Sequence, residues 1–328
     1  MDASVEVFAL GELLIDFVAT ERGGSLGDVT TFVRAPGGAP ANVAVGVARL
    51  GVRSGFIGKV GDDPFGHHLA GVLKDAGVNV SQLRFDSEAR TALAFVSLSE
   101  SGDRDFMFYR HPSADMLHRP DEIDVATLRA ARLLHVGSIS TIAEPAASAT
   151  RHALQVAREA GLWVSYDPNL RLPLWPSADA AKRGIEALWG EADVIKVADD
   201  ELRFLTGADD LQAARSLWTP QLKLLLVTRG AAGVSYLLRE HDGHVPGFAV
   251  DVADTTGAGD AFNAAVLSAL VRQANLIDDV SGVEATLRRA NAFAALTTTR
   301  TGAIPAMPEA AQVDAFLDAR QGSRSGSG

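Results

Sequence analysis

Apolar positions along the chain follow two alternating rhythms. Short runs of branched and aromatic residues at 5–10, 56–60, 133–136, 162–166, 194–197 and 222–228 have the length and composition of buried strands. The stretches between and after them carry apolar residues at helical spacing. They predict helices over 42–50, 65–76, 145–160, 178–188, 201–205, 258–270, 283–298 and 308–319, the first two closed by Gly51 and Gly77. A chain that keeps returning from helix to strand predicts an α/β fold with a doubly wound, mainly parallel sheet flanked by helices. A β pair at 234–238 and 245–248 follows the last of these strands.

Two excursions of pure β character interrupt the alternation. The pieces 13–18 and 30–33, separated by a polar stretch with Gly23, Gly24 and Gly27, predict a hairpin-like pair. The pieces 91–97 and 105–109 flank the turn Ser101-Gly102-Asp103. Together they read as one small β-sheet lid, inserted at about 14–34 and 91–109 into a single domain covering residues 1–320. The remaining 321–328 are Gly/Ser-rich and predict a disordered tail. Lid strands of alternating character leave one face and an edge to be covered. The expectation is a homodimer built through the lid, with Phe32 and Val96 at the contact; the alternative is a monomer whose lid folds back on its own main domain.

Composition acts mainly by exclusion. With 328 residues, 47% of them apolar, the chain is long enough for one large core with an appendage. Lys+Arg 30 against Asp+Glu 41 gives a net charge of −11, which argues against nucleic acid or an anionic membrane as partner, though not against a local phosphate site. The absence of cysteine excludes disulfides, thiolate catalysis and Cys-zinc sites. The N-terminus has no basic region before its apolar part, and no apolar run approaches the ~20 residues of a membrane span, so a soluble cytoplasmic protein is expected.

The candidate chemistry centres on DTTGAGDAFNAAVLSAL, residues 254–270. Gly257 and Gly259 permit a tight turn and close approach to a ligand. Phe262, Val266 and Leu270 recur at four-residue steps, so a buried helix begins at Ala258. A helix N-terminus gathers amide hydrogens and the positive end of the dipole, and an anion such as phosphate is its natural guest. Asp260 then has two readings: a helix cap, or a base that takes the proton of a hydroxyl attacking phosphorus. Other polar residues fall just after strands, where doubly wound sheets gather ligands: Asp16, Gly37, Gly38, Asn169, Arg171, Glu201 and Arg229. Arg110 and His111 are either surface charges or functional. Asp62 and Asp63 read as turn and cap residues rather than metal ligands, Asp167 as a cap through Asn169, and Phe106 and Phe108 as lid core or substrate-facing.

GGAPANVAVGVARLG near the N-terminus and DTTGAGDAF near the C-terminus resemble the paired motifs of the PfkB (ribokinase-like) carbohydrate kinase family. GELLIDF, FIGKVGDDPFG, ARTALAFVSL, RHPSADMLH, GSISTIAEP, SYDPNLRLPLWPS, ADVIKVADDELRFLTG and VTRGAAG extend the likeness to its fructokinase branch over nearly 5–308. The resemblance implies a Rossmann-like, ribokinase-like sheet with a β lid, and ATP-dependent phosphorylation of D-fructose to fructose 6-phosphate. It implies Asp260 as catalytic base, and an anion hole made by the backbone amides of Ala258, Gly259 and Asp260 in the turn that Gly257 opens. Sugar contacts are implied at Asp16, Gly38 and Asn42, with Gly37, Arg110, Asn169 and Arg171 also assigned to the substrate. Lys196, Glu201, Thr228, Arg229, Gly230 and Asn291 are assigned to the nucleotide, with Glu201 holding Mg²⁺ through water and Asp254 and Gly302 at a K⁺ site. Two positions depart from the family pattern. Ala198 replaces the Asn of Asn-x-x-Glu, leaving Lys196 or Asp199 to partner Glu201, and Ala39 replaces a Lys of ribokinases. Arg171 also has a counterpart in 2-keto-3-deoxygluconate kinases, which are the alternative reading. A non-catalytic sugar-binding or interaction protein is expected to have lost the Asp or the glycines, and both are intact.

Overall fold

The computed structural model describes residues 4–23, 25–98 and 104–325. The expected turn at Ser101-Gly102-Asp103, Gly24 and residues 326–328 lie outside the described residues. The strands are β1 Val7–Leu10, β2 Leu14–Arg22, β3 Phe32–Gly37, β4 Ser54–Gly61, β5 Asn79–Asp86, β6 Leu93–Leu98, β7 Arg104–Tyr109, β8 Leu133–Gly137, β9 Trp163–Asp167, β10 Val194–Ala198, β11 Leu224–Thr228, β12 Gly233–Leu237 and β13 Asp242–Pro246. The helices are α1 Ala39–Arg49, α2 Pro64–Asp75, α3 Val125–Arg129, α4 Ala146–Glu159, α5 Ala178–Trp189, α6 Asp199–Thr206, α7 Leu211–Ser216, α8 Ala258–Arg272, α9 Val280–Thr297 and α10 Ala310–Ser325.

Among the described residues, nine strands form the main sheet in the order β13-β12-β11-β10-β9-β8-β1-β4-β5. All its pairings are parallel except β11 with β12 and β12 with β13. Period-two alternation sorts the core into two layers. Val7 and Ala9 of β1 join the layer of α1, α2, α8 and α9, while Phe8 and Leu10 join that of α3 to α7. The chain winds from β1 to β4 and β5 on one side, then returns to β8 and runs to β11 on the other. The crevice beyond the carboxyl ends of the strands at this reversal is where such sheets bind ligands.

Two elements differ from the sequence reading. Strand β5 is not among the predicted strands, because at the sheet edge only Gln82 and Leu83 are buried and no alternation marks it. The last helix runs Ala310–Ser325 where 308–319 is predicted; extending an existing helix by a few residues costs little compared with starting one. Among the described residues no helix is long and apolar enough to cross a membrane.

The two β excursions do form one sheet, in the order β3-β2-β6-β7, with β2 and β6 parallel. Cross-strand register puts Asp16, Ala35, Ala94 and Phe108 on one face. That face holds the small cluster Leu14, Ala92, Ala94 and Phe108, and Phe106 on it meets the Arg171 guanidinium of the main domain at 5.7 Å. It therefore looks onto the crevice. The opposite face carries stacked Phe17 and Phe95, with Phe32 and Tyr109 edge-on against Phe95. Val96, expected at an outer contact, is buried on the inner face.

The lid is rooted at Asp63. One carboxylate oxygen caps α2 by accepting from the amides of Phe65 and Gly66 at 3.0 and 2.9 Å, as the sequence predicts. The same oxygen also accepts from the Thr91 hydroxyl at 2.9 Å, and the other accepts from the Thr91 amide at 2.8 Å, just before β6. Removing this carboxylate strips a helix cap and leaves a buried amide unpaired. Asp63→Ala is expected to lower stability by roughly 2–4 kcal/mol, read from the urea midpoint; a change under about 0.5 kcal/mol contradicts the anchor.

Candidate active site

The N-terminus of α8 is built from residues that fit nowhere else. Gly257, the N-cap, has φ +76, a left-handed conformation that disfavours other residues, and a Cβ there would lie 2.6 Å from that of Ala303. The Ala258 amide makes a long 3.3 Å bond to the Thr255 carbonyl. Among the described residues the Gly259 and Asp260 amides have no protein acceptor, so two of the three expected anion-hole donors point into the cleft unengaged. The N-cap position belongs to Gly257, and Asp260 caps nothing. Its Oδ2 accepts from Asn42 Nδ2 of α1 at 2.8 Å, which ties the two glycine motifs together across the cleft. Burial pushes the Asp260 carboxyl up to about 6, and the nearby Asp167 charge adds to it; the Asn42 hydrogen bond, Lys196 and Arg171 pull the other way.

Beneath α8 lies a network that sequence reasoning missed. Asp167, at the end of β9, accepts from Lys196 Nζ with both oxygens, at 3.1 and 3.0 Å, and from Asn263 Nδ2 at 2.8 Å. It also caps the Asn169 amide at 3.1 Å, as predicted. Asn169 has φ +44, a left-handed conformation that Asn tolerates better than most residues. Burial works against the Lys196 ammonium, but the Asp167 and Glu201 carboxylates outweigh it and hold it above the usual lysine range. The visible signal was Asn263, a polar residue three places after Asp260 inside an apolar run.

On the lid side, Asp16 of β2 packs over Gly37, where a Cβ would come within 2.1 Å of its carboxylate, and Gly38 lies so close to the Glu12 carbonyl that only glycine fits. Glu12 itself was not foreseen. It is buried, accepts from the Ala39 amide at 3.1 Å, and burial pushes it up to about 7. Arg110 is not a surface charge: its buried guanidinium pairs with Asp115, which Ser113 also holds, whereas His111 is exposed. Arg171 reaches from the loop after β9 to the lid ring of Phe106.

The nucleotide-side residues are more dispersed. Glu201 does not depend on Lys196 or Asp199 for a hydrogen bond in place of the missing Asn; its carboxylate accepts from the amides of Ala198 at 2.8 Å and Leu170 at 2.6 Å. Burial raises its pKa, against Lys196 and those two bonds. Thr228 ends β11 and Gly230 lies just beyond it, while the Arg229 guanidinium is turned into the protein, to Ser235 Oγ and the Asp209 carbonyl. Asn291 of α9 donates to the carbonyls of Val245 and Pro246, which shapes the wall beside β13. Asp254 and Gly302 are brought together: one Asp254 oxygen accepts from the Gly302 amide at 2.8 Å, and the other from the Thr256 amide at 2.9 Å.

A doubly wound sheet, a lid over its carboxyl edge, unengaged helix-terminal amides and a carboxylate beside them define a group-transfer site for an anionic donor and a polar acceptor. Comparison with known proteins narrows the class. Residues 5–310 match the pfkB family carbohydrate kinases. The chain is 53% identical over 313 residues to fructokinase-2 of Solanum lycopersicum, covering 95% of each chain. It is 50% identical over 309 residues to fructokinase-1 of Zea mays, covering 94% of this chain and 96% of that one. Among solved structures, a fructokinase of Xylella fastidiosa with bound ATP superposes with a TM-score of 0.87 at 38% identity, covering 96% of this chain and 99% of that one. A fructokinase of Vibrio cholerae O395 bound to fructose, ADP and calcium superposes with a TM-score of 0.83 at 35% identity, covering 96% and 100%. The chain belongs to the pfkB family of carbohydrate kinases.

A carboxylate that acts as a base must be deprotonated, so in that role Asp260, raised by burial, would set a direction for pH dependence. kcat/KM is expected to fall about tenfold per pH unit as pH drops through about 6. Asn42→Leu removes a bond that favours the charged carboxylate and should move this limb to higher pH. A wild-type limb at pH 4 or below, or a downward move in the variant, contradicts the assignment.

Proposed function

We propose that this protein is an ATP-dependent fructokinase that converts D-fructose to fructose 6-phosphate with Asp260 as general base. The observation that carries this reading is the Asp260 carboxylate, set within the first turn of α8 beside two amides with no protein acceptor. The names of relatives more than half identical across nearly the whole chain support fructose as the acceptor. Asp16 and Asn42 grip sugar hydroxyls from opposite sides of the cleft, and the lid covers them. The primary hydroxyl attacks the γ-phosphorus, the bond from phosphorus to the ADP oxygen breaks, and the hydroxyl proton passes to Asp260. The Gly259 and Asp260 amides stabilise the charge on the transferring group. Lid closure excludes water, the competing acceptor.

Among the described residues no cluster of three or more His, Asp or Glu side chains is spaced to ligate a metal. This fits Mg²⁺ held mainly by the nucleotide phosphates and its own waters, because each Glu201 oxygen spends one lone pair on a backbone amide and keeps another for a water. The ion neutralises phosphate charge. Asp254 and Gly302, whose two segments are joined by the Gly302 amide donating to Asp254 beside Gly257, are the proposed K⁺ position.

Asp260→Asn is expected to lower kcat at least ~10²-fold while ATP and fructose affinities stay within a few-fold, since the lost group acts on a proton. More than a tenth of wild-type kcat contradicts the base. A coupled ADP-release assay over hexoses, pentoses and a 2-keto-3-deoxy sugar acid tests the substrate: fructose should give the highest kcat/KM, and preference for the acid transfers the assignment to the alternative kinase. Asp16→Ala should raise KM for the sugar far more than for ATP.

The outer lid face supports a homodimer. Tyr109 is 58% and Met107 42% exposed beside the Phe17, Phe32 and Phe95 cluster, an apolar patch that a second copy would cover symmetrically. Sedimentation should give about twice the 34.5 kDa chain mass, and Phe32→Asp or Tyr109→Asp should release monomers. A fully active wild-type monomer at micromolar concentration contradicts the dimer.

A further inference from the structure

At the foot of the lid the chain runs on from β7 through residues 110–117, and this strap carries a buried ion pair that the phosphoryl transfer above does not involve. Arg110 commits one edge of its guanidinium to Asp115: Nε donates to Oδ2 at 3.1 Å, and Nη2 donates to the same oxygen. The other Asp115 oxygen accepts from Ser113 Oγ. The strap holds the carboxylate in place, because the Ala114 amide donates to the Arg90 carbonyl at 2.8 Å and the buried Lys59 ammonium donates to the Leu117 carbonyl at 3.3 Å. Arg110 Nη1 has no protein acceptor among the described residues.

The pair stands beside Glu12, at the end of the crevice where α1 begins. Burial pushes Glu12 up to about 7; of the two charges of the pair, Arg110 lowers it and Asp115 raises it, so both fields reach that carboxyl. Glu12 Oε1 accepts from the Ala39 amide, but Glu12 Oε2 and Asn42 Oδ1 are buried with no donor among the described residues. Orphan acceptors of this kind call for hydroxyl hydrogens. A polyol supplies them, and a carboxylate at neutral pH has none.

We propose that Asp115 is a specificity-determining residue that keeps Arg110 neutralised, so that the site takes an uncharged ketohexose and rejects a sugar acid. This rests on the kinase reading above and names the feature that selects its acceptor. A guanidinium grips a carboxylate through two parallel N–H groups on one edge. Asp115 occupies such an edge from within the chain and leaves Nη1 for a hydroxyl oxygen. A substrate carboxylate arriving there would meet one cation already balanced by Asp115, with Glu12 beside it. Stability alone explains the pair poorly, because a buried ion pair gains little over apolar packing of the same volume. The rival cation for an acid is Arg171, whose contacts are the Leu170 carbonyl and the Phe106 ring.

The test compares D-fructose with 2-keto-3-deoxy-D-gluconate in the coupled ADP-release assay, on the full chain. Asp115→Asn keeps the shape and an acceptor for Arg110 but removes the charge. The ratio of kcat/KM for fructose to that for the acid should fall about 30-fold or more, the effect of one charge over several ångströms at an effective dielectric constant of about 20. kcat/KM for the acid should also rise in absolute value, which a disturbed fold cannot produce. Adding Arg110→Leu should return the acid to its wild-type value or below. Equal losses on both substrates would make the pair a structural brace, and a gain that survives without Arg110 would place the acid on Arg171; either overturns the proposal. Where circular dichroism shows Asp115→Asn unfolded, Asp115→Ser is judged by the same ratio. The wild type supplies a reading that needs no variant: the acid should inhibit fructose phosphorylation with a Ki at least ~10²-fold above the KM for fructose, and a Ki near that KM contradicts the proposal. If the wild type releases no ADP with any sugar, the kinase reading itself fails. If it prefers fructose and Asp115→Asn leaves the ratio unchanged, only the present proposal fails.

Discussion

The site depends on one electrostatic constraint: three carboxylates and an ammonium are buried together at the N-terminus of a helix. Asp167, Glu201 and Asp260 gather around Lys196, and such a cluster is tolerable only if each charge has a fixed partner. Lys196 has both oxygens of Asp167, Glu201 has two backbone amides, and Asp260 has the Asn42 amide. Asp260 receives the weakest compensation and keeps a pKa near 6, so it stays a carboxylate at neutral pH yet can accept a proton. The amides and the ammonium face the space it borders. An anionic group entering that space relieves the imbalance between donors and acceptors.

The rest of the fold serves to bring this helix terminus and the inner face of the lid into one crevice. The reversal of winding at β1 opens the crevice, and α1 and α8 pack against each other so that Asn42 meets Asp260. The lid is hinged at Asp63 and Thr91 and touches the main domain again through Phe106 and Arg171. Its root is apolar as well, since Ile15 is part of the main core and Phe17 meets Phe65 of α2 edge-on at 5.9 Å, while the inner cluster of Leu14, Ala92, Ala94 and Phe108 holds the lid together as a sheet.

Much of this was legible in the chain. Alternation of apolar periods marked most of the main sheet, the glycines and following apolar run marked the start of α8, and Asn169 and Arg171 do fall just after β9, whereas Asp16, expected after a strand, lies within β2. What escaped has a common physical cause. The Lys196–Asp167–Asn263 network joins β10, β9 and α8, and the Asn263 bond spans 96 positions, so no local pattern announces it. Glu12 hides because its role comes from burial behind Gly38 rather than from its neighbours in the chain. Strand β5 escaped because an edge strand need not alternate, and Val96 was placed on the wrong lid face because face assignment requires the register with β7. Arg229 shows the converse: it follows a strand as a site residue should, yet its guanidinium closes a turn.

The most direct test of the account is a crystal structure with ADP, fructose and tetrafluoroaluminate as a mimic of the transferring phosphoryl group. The account predicts the fluoroaluminate roughly 3 Å from the amides of Gly259 and Asp260, with the fructose primary hydroxyl oxygen within hydrogen-bond reach of Asp260. A fluoroaluminate held away from the N-terminus of α8, or a primary hydroxyl turned to Glu12 or Asp16 while Asp260 remains remote, would contradict it.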